Sequence, residues 1–179
     1  MDILTLDVHG LSPAIKGMRN PMDSWHLSDS FFNNDNEFIL GDKDLNLAQR
    51  LIKAGGEHSK FMRMIQVWVD IDMPRYFWSE YDTYKFNTKN SCSTMHKLLN
   101  NKNEITIDLF VVCDEDLDIM DKIVERLESL RKEFLKTKDF SLVVRAKRLL
   151  PEGFLQLRTV NTSYAEIRNM YIQRKNHRL

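Results

Sequence analysis

Apolar residues recur along this chain with two periods, and the switches between them mark out its elements. Ile3, Leu4 and Leu6 stand between polar neighbours and predict a first strand over residues 2–7. Ser12-Pro13 predicts a short helix that runs to about Met18, with serine as cap and proline in the first turn. Residues 20–42 hold Asn20-Pro21, Asp23-Ser24, Asn33-Asn34-Asp35-Asn36 and Gly41-Asp42, which is turn chemistry. They read as a long connection anchored by a buried Trp25 or Phe31-Phe32. With Asp44 as cap, Leu45, Leu47, Ala48, Leu51 and Ile52 recur at helical spacing until Gly55-Gly56. Phe61 to Ile71 alternates and predicts a strand, broken by Pro74. An aromatic helix is expected from Arg75 to Tyr84 and a short helix from Ser91 to Leu99.

Leu117, Met120, Ile123, Val124, Leu127 and Leu130 mark an amphipathic helix from Leu117 to about Lys136. A second helix is predicted from Ser141 to Leu150, stopped by Pro151-Glu152-Gly153. A strand over Phe154–Val160 and a closing helix over Ser163–Arg178 complete the pattern. No repeat or low-complexity stretch suggests a boundary, so residues 1–179 read as one domain.

Composition, at 42% hydrophobic and 29% charged, is that of a globular protein. No apolar run is long enough for a bilayer, and Met1-Asp2-Ile3 does not read as a signal peptide. The expected location is the cytoplasm, with Cys92 and Cys113 as buried, reduced thiols. Net charge is zero, yet Asp114–Asp121 is acidic, while Arg168, Arg174, Lys175 and Arg178 make the C-terminal end basic. A basic end suits phosphate backbones or acidic protein surfaces, or is a solvated face.

Local chemistry adds little. Cys92 and His96 could share a helix face, but no orienting group accompanies them, so a structural thiol and histidine is the reading. Glu57-His58 are adjacent and point apart, which disfavours joint metal ligation, and Asp114, Asp116 and Asp118 lack the glycine and closing glutamate of a calcium loop. No metal site is expected. Tyr76 and Trp78, beside Arg75, are either core filler or a surface that stacks on a partner.

The stretch Thr83-Tyr84-Lys85-Phe86-Asn87-Thr88-Lys89-Asn90-Ser91-Cys92-Ser93-Thr94-Met95 resembles the Arg-His-Arg-x-x-Ser-x-Asn-x-x-Ser-x-Arg signature of flavin-dependent thymidylate synthases. Thr88, Asn90 and Ser93 fall on the signature's serine, asparagine and second serine, while Thr83, Lys85 and Met95 stand at its arginines. Glu57-His58, Pro74-Arg75, Arg145-Ala146-Lys147-Arg148-Leu149-Leu150-Pro151, Asn161 and Arg174 resemble further pieces of that family in order. The resemblance implies an α+β fold, an antiparallel or mixed sheet packed by helices, and a homo-oligomer. It also implies candidate cofactor contacts at Lys85, Thr88, Asn90, Ser93, Arg75 and His58, and nucleotide contacts at Arg145, Asn161 and Arg174.

Exchanging guanidinium forks for one lysine removes bidentate phosphate recognition, which argues against retained catalysis. The whole chain is also similar to proteins of gut Firmicutes and their phages and plasmids, through Phe61-Met62-Arg63, Trp68-Val69-Asp70 and Ser91–Lys97. That resemblance implies a non-catalytic, cofactor-free mobile-element protein that binds a macromolecular partner. The specific expectation is an anti-CRISPR inhibitor of a Cas9-type nuclease with its guide RNA, using Arg168, Arg174, Lys175, Arg178, Tyr76 and Trp78. The alternative is an FAD- and dUMP-binding enzyme with a rebuilt phosphate site.

Overall fold

A computed structural model describes residues 1–100 and 102–176. Its elements are β1 (Asp2–His9), α1 (Leu11–Arg19), β2 (Phe31–Phe32), β3 (Phe38–Ile39), α2 (Asp42–Ala54), β4 (Gln66–Pro74), α3 (Arg75–Tyr81), β5 (Asn87–Ser91), α4 (Thr94–Lys97), α5 (Leu117–Thr137), α6 (Phe140–Leu149), β6 (Leu155–Ser163) and α7 (Tyr164–Arg174). The strand order in the main sheet is β1-β4-β6-β5, and β2 and β3 form a separate antiparallel hairpin. Helices with a sheet make the expected α+β fold. Among the described residues, no helix is long and apolar enough to cross a membrane.

The chain divides into two compact units, and the division falls within each strand of the main sheet. The first comprises Met1–Leu4, Asp70–Thr83 and Lys89–Thr159. Its core is the apolar stripe of α5 packed on α6, with Leu127, Leu130, Val143 and Ala146 fully or almost fully buried. Trp78 is also buried there, and its indole N–H donates to the carbonyls of Met73 at 3.1 Å and Gln156 at 2.8 Å. The Arg158 guanidinium lies 4.3 Å from the centre of its ring. Glu128 accepts two bonds from Arg131, at 2.6 and 2.7 Å, and the amide of Ile105 at 3.0 Å.

The second unit comprises Thr5–Val69, Tyr84–Thr88 and Val160–Leu179. α1, α2 and α7 all pack on a 3₁₀-helical stretch, Gly56–Met64, around Ala14, Ile15, Ala48 and Phe61. The strand expected over Phe61–Ile71 therefore begins only at Gln66 and continues through Pro74. Phe61 and Met62 are instead core residues of the 3₁₀ stretch, where its irregular turns bury both side chains.

The connection over residues 20–42 is held differently from the expectation. Trp25, Phe31 and Phe32 are all exposed, so none of the three serves as the anchor. The anchor is polar: Asp44, fully buried within α2, accepts from Arg19 Nε at 2.5 Å and from the Ser28 and Ser30 hydroxyls at 2.5 and 2.6 Å. Burial pushes the Asp44 carboxyl up, but those hydroxyls and Arg19 outweigh it and hold it below the usual range. Asp44 is thus not the helix cap. The backbone N–H groups of Lys43 and Asp44 donate to Asp29 at 2.9 and 3.1 Å, so Asp29 closes the start of α2 from outside. Gly41 permits this, because a β-carbon there would collide with the Asp29 carboxylate.

Other boundaries shift as well. The short helix expected over Ser91–Leu99 shrinks to α4, and Asn87–Ser91 is a strand. Cys92 and Cys113 are free and exposed rather than buried.

Candidate functional site

Three elements of the second unit converge on one polar cavity of about 800 Å³. β6 brings Asn161, Thr162 and Ser163 to its end, where Ser163 caps α7 by accepting the Glu166 amide at 3.3 Å. The turn before β5 contributes Lys85 and Phe86, the start of β5 contributes Asn87 and Thr88, and the 3₁₀ stretch contributes Gly56, Ser59 and Arg63. Gln66, Ala165, Glu166 and Asn169 complete the wall.

Bonds within the unit fix these side chains. Thr162, buried, donates its hydroxyl to the Phe86 carbonyl at 3.2 Å and so ties β6 to the signature segment. Asn87 donates to the Tyr84 carbonyl at 2.9 Å, Asn161 to the Val67 carbonyl at 3.3 Å, and Gln66 to the Arg63 carbonyl at 2.8 Å. The Tyr164 amide reaches the Ile65 carbonyl at 3.0 Å, which seats the start of α7 over the 3₁₀ stretch. Phe86 is 80% exposed, an aromatic face left open at the wall.

Chemically, the cavity offers amides, hydroxyls, two cations (Lys85 and Arg63), one carboxylate (Glu166) and one stacking plate (Phe86). That set suits a flat, hydrogen-bonding heterocycle with an anionic group.

Of the residues singled out in the sequence, Lys85, Thr88 and Asn161 meet in this cavity. The others do not. His58 is exposed and lines a different, largely apolar cavity of about 1280 Å³. Arg174 donates Nε to the Tyr84 hydroxyl at 2.9 Å, with its guanidinium 5.7 Å from the ring centre, so it is committed to an aromatic of its own unit. Arg168 donates to the Ile52 carbonyl at 3.4 Å, and Lys175 is exposed. In the first unit, Arg75 bonds the Leu150 carbonyl at 3.0 Å and pairs with Glu152 at 3.1 Å. There too Asn90 and Arg145 are exposed, and Ser93 caps α4 by accepting the His96 amide. Tyr76 is exposed, whereas Trp78 is core, so Trp78 is corrected as a partner contact. Arg178 lies outside the described residues.

Sequence reading missed Arg63, Gln66, Phe86, Glu166 and Asn169. One signal was available for Glu166: Ser163-Tyr164-Ala165-Glu166 has the serine–glutamate spacing of a capping box.

No family model and no curated protein matches the chain. Solved structures do match. The flavin-dependent thymidylate synthase of Helicobacter pylori, complexed with FAD and dUMP, superposes with a TM-score of 0.73 at 18% identity, over 99% of this chain and 86% of that one. A second structure of the same enzyme, also with FAD and dUMP, gives a TM-score of 0.73 at 17% identity, over 99% and 85%. Both neighbours carry FAD, and this overturns the expectation of a cofactor-free protein. At such identity the likeness establishes architecture: this chain has the fold of the flavin-dependent thymidylate synthases.

Proposed function

We propose that this chain is an FAD- and dUMP-binding enzyme of the flavin-dependent thymidylate synthase type, with its phosphate contacts rebuilt around Lys85 and Arg63. The observation that carries the reading is the meeting of Lys85, Thr88 and Asn161 in one cavity, in the fold of proteins solved with those two ligands. The residues present fit a flavin. Phe86 offers an open face for the ring system, the amides of Gln66, Asn87, Asn161 and Asn169 suit its polar edge, and Lys85 and Arg63 suit its phosphates. Bound, the flavin supplies hydride chemistry; the chain supplies binding and orientation.

Titrating FAD against the purified protein by flavin fluorescence, with Lys85→Met and Phe86→Ala alongside, tests this. Each variant is expected to weaken binding roughly ten-fold, from loss of one charge-assisted contact or one stacking face. Wild-type and variant proteins with the same FAD affinity would overturn the assignment of the cavity.

Association into a homo-oligomer is part of the same proposal, because α7 leaves Tyr164, Ile167, Tyr171 and Ile172 exposed together. A reducing, cytoplasmic setting is inferred from the two exposed, unbridged thiols. Inhibition of a Cas9-type nuclease, as a mobile-element protein, has no structural observation in its favour.

A further inference from the structure

Glu166 is unusual among the residues of the polar cavity. It is 6% exposed, yet its carboxylate takes one hydrogen bond among the described residues, from Asn169 Nδ2 to Oε2 at the long distance of 3.4 Å. No cation is paired with it there, although Lys85 and Arg63 line the same cavity. The capping box is only half made: the Glu166 amide donates to Ser163 Oγ, but among the described residues no return bond runs from the Ser163 amide to the Glu166 carboxylate. A carboxylate this buried requires donors, and the protein supplies one weak one. Oε1 is not a sealed orphan, since no fully buried side-chain oxygen lacks a partner among the described residues, and Glu166 stands in the wall of the cavity.

Three residues further along α7, the Asn169 amide can release its long bond and turn to a ligand. Glu166 and Asn169 then present an acceptor and a donor side by side. The complement of that pair is a ring N–H adjacent to a C=O, the lactam edge of an oxidised heterocycle.

We propose that Glu166 and Asn169 read the lactam edge of the bound heterocycle, Glu166 accepting its ring N–H and Asn169 donating to the neighbouring carbonyl. The proposal rests on the flavin and nucleotide reading above and names the residues that set its specificity. The pyrimidine ring of a flavin and the uracil ring of a deoxyuridine nucleotide share this edge, and the probes separate them.

The purified protein is titrated with FAD and with N3-methyl-FAD, and in parallel with dUMP and N3-methyl-dUMP, by calorimetry. Methylation removes the ring N–H and leaves Glu166 buried without its donor. One of the two parent ligands is expected to bind about ten- to a hundred-fold more tightly than its methylated form. Which pair shows the difference identifies the ring. Glu166→Leu is expected to bring the methylated and parent ligands to within about two-fold, and Glu166→Gln, which keeps an acceptor oxygen, to retain part of the difference. Equal affinity of wild-type protein for parent and methylated forms of both ligands would overturn the lactam reading while leaving flavin binding intact. No binding of either parent would overturn both, and the wild-type comparison stands even if a variant fails to fold.

Discussion

Removing the Asp44 carboxylate exposes how the long connection is held. Arg19 and Asp44 are 5% and 0% exposed at their side chains, and the pair is closed by the hydroxyls of Ser28 and Ser30. Asp44→Ala leaves Arg19 charged in the interior with, among the described residues, only the Ser24 carbonyl, at 3.3 Å, as acceptor, and it strips the acceptor from two serines. Breaking a buried pair from one side costs about 3–5 kcal/mol, because the surviving charge keeps its desolvation penalty. For a chain of this length that corresponds to a fall in Tm of roughly 6–20 °C. Replacing both partners, as Arg19→Met with Asp44→Leu, removes the orphaned charge and is expected to recover about half of the loss. Differential scanning calorimetry of the three proteins is the assay. An Asp44→Ala protein melting within about 2 °C of wild type would refute the reasoning, as would a double variant less stable than the single one.

Further outcomes follow from the first unit and from the surface. The Arg131 guanidinium, against an opposing effect of burial and aided by the Ile105 amide, lowers the Glu128 carboxyl from 4.5 to about 2. A depressed carboxylate stabilises the fold above its unfolded value. The contribution, roughly 2 kcal/mol after screening, is therefore complete above about pH 4.5 and lost as pH falls towards 2. Glu128→Gln should flatten stability across that window in urea melts at stepped pH; an unchanged slope would remove Glu128 as its source. Trp78→Phe should cost about 1–3 kcal/mol, because it leaves the Met73 and Gln156 carbonyls without the indole N–H. A neutral effect on chemical denaturation would show that water replaces it. Sedimentation equilibrium should give more than one copy, and Ile172→Lys with Tyr171→Lys should shift the protein towards monomer.

Much of the fold was legible because its signals are local. The α5 stripe and the stop at Gly55-Gly56 are written in spacing and conformational preference alone. What was not legible depended on partners distant in sequence. Asp44 looks like a cap beside an apolar run, and only Arg19, Ser28 and Ser30, folded around it, make it a buried hub. Phe61 and Met62 alternate like strand residues but serve a 3₁₀ turn packed by three helices. The site divides in the same way. Lys85 and Thr88 were reachable through a degenerate signature and Asn161 through a further piece of the same resemblance, whereas Arg63, Glu166 and Asn169 join them only through the packing of α7 on the 3₁₀ stretch.

The central claim is that the cavity holds a flavin and a deoxyuridine nucleotide. It is tested most directly by the thermal unfolding of the purified protein with and without FAD and dUMP, read alongside its absorbance spectrum. Ligand at about a hundred times its Kd stabilises a protein by roughly 2.7 kcal/mol, which predicts a Tm rise of about 5–10 °C, with a flavin band if cofactor is retained. A colourless protein whose Tm is indifferent to both ligands at millimolar concentration would contradict the account.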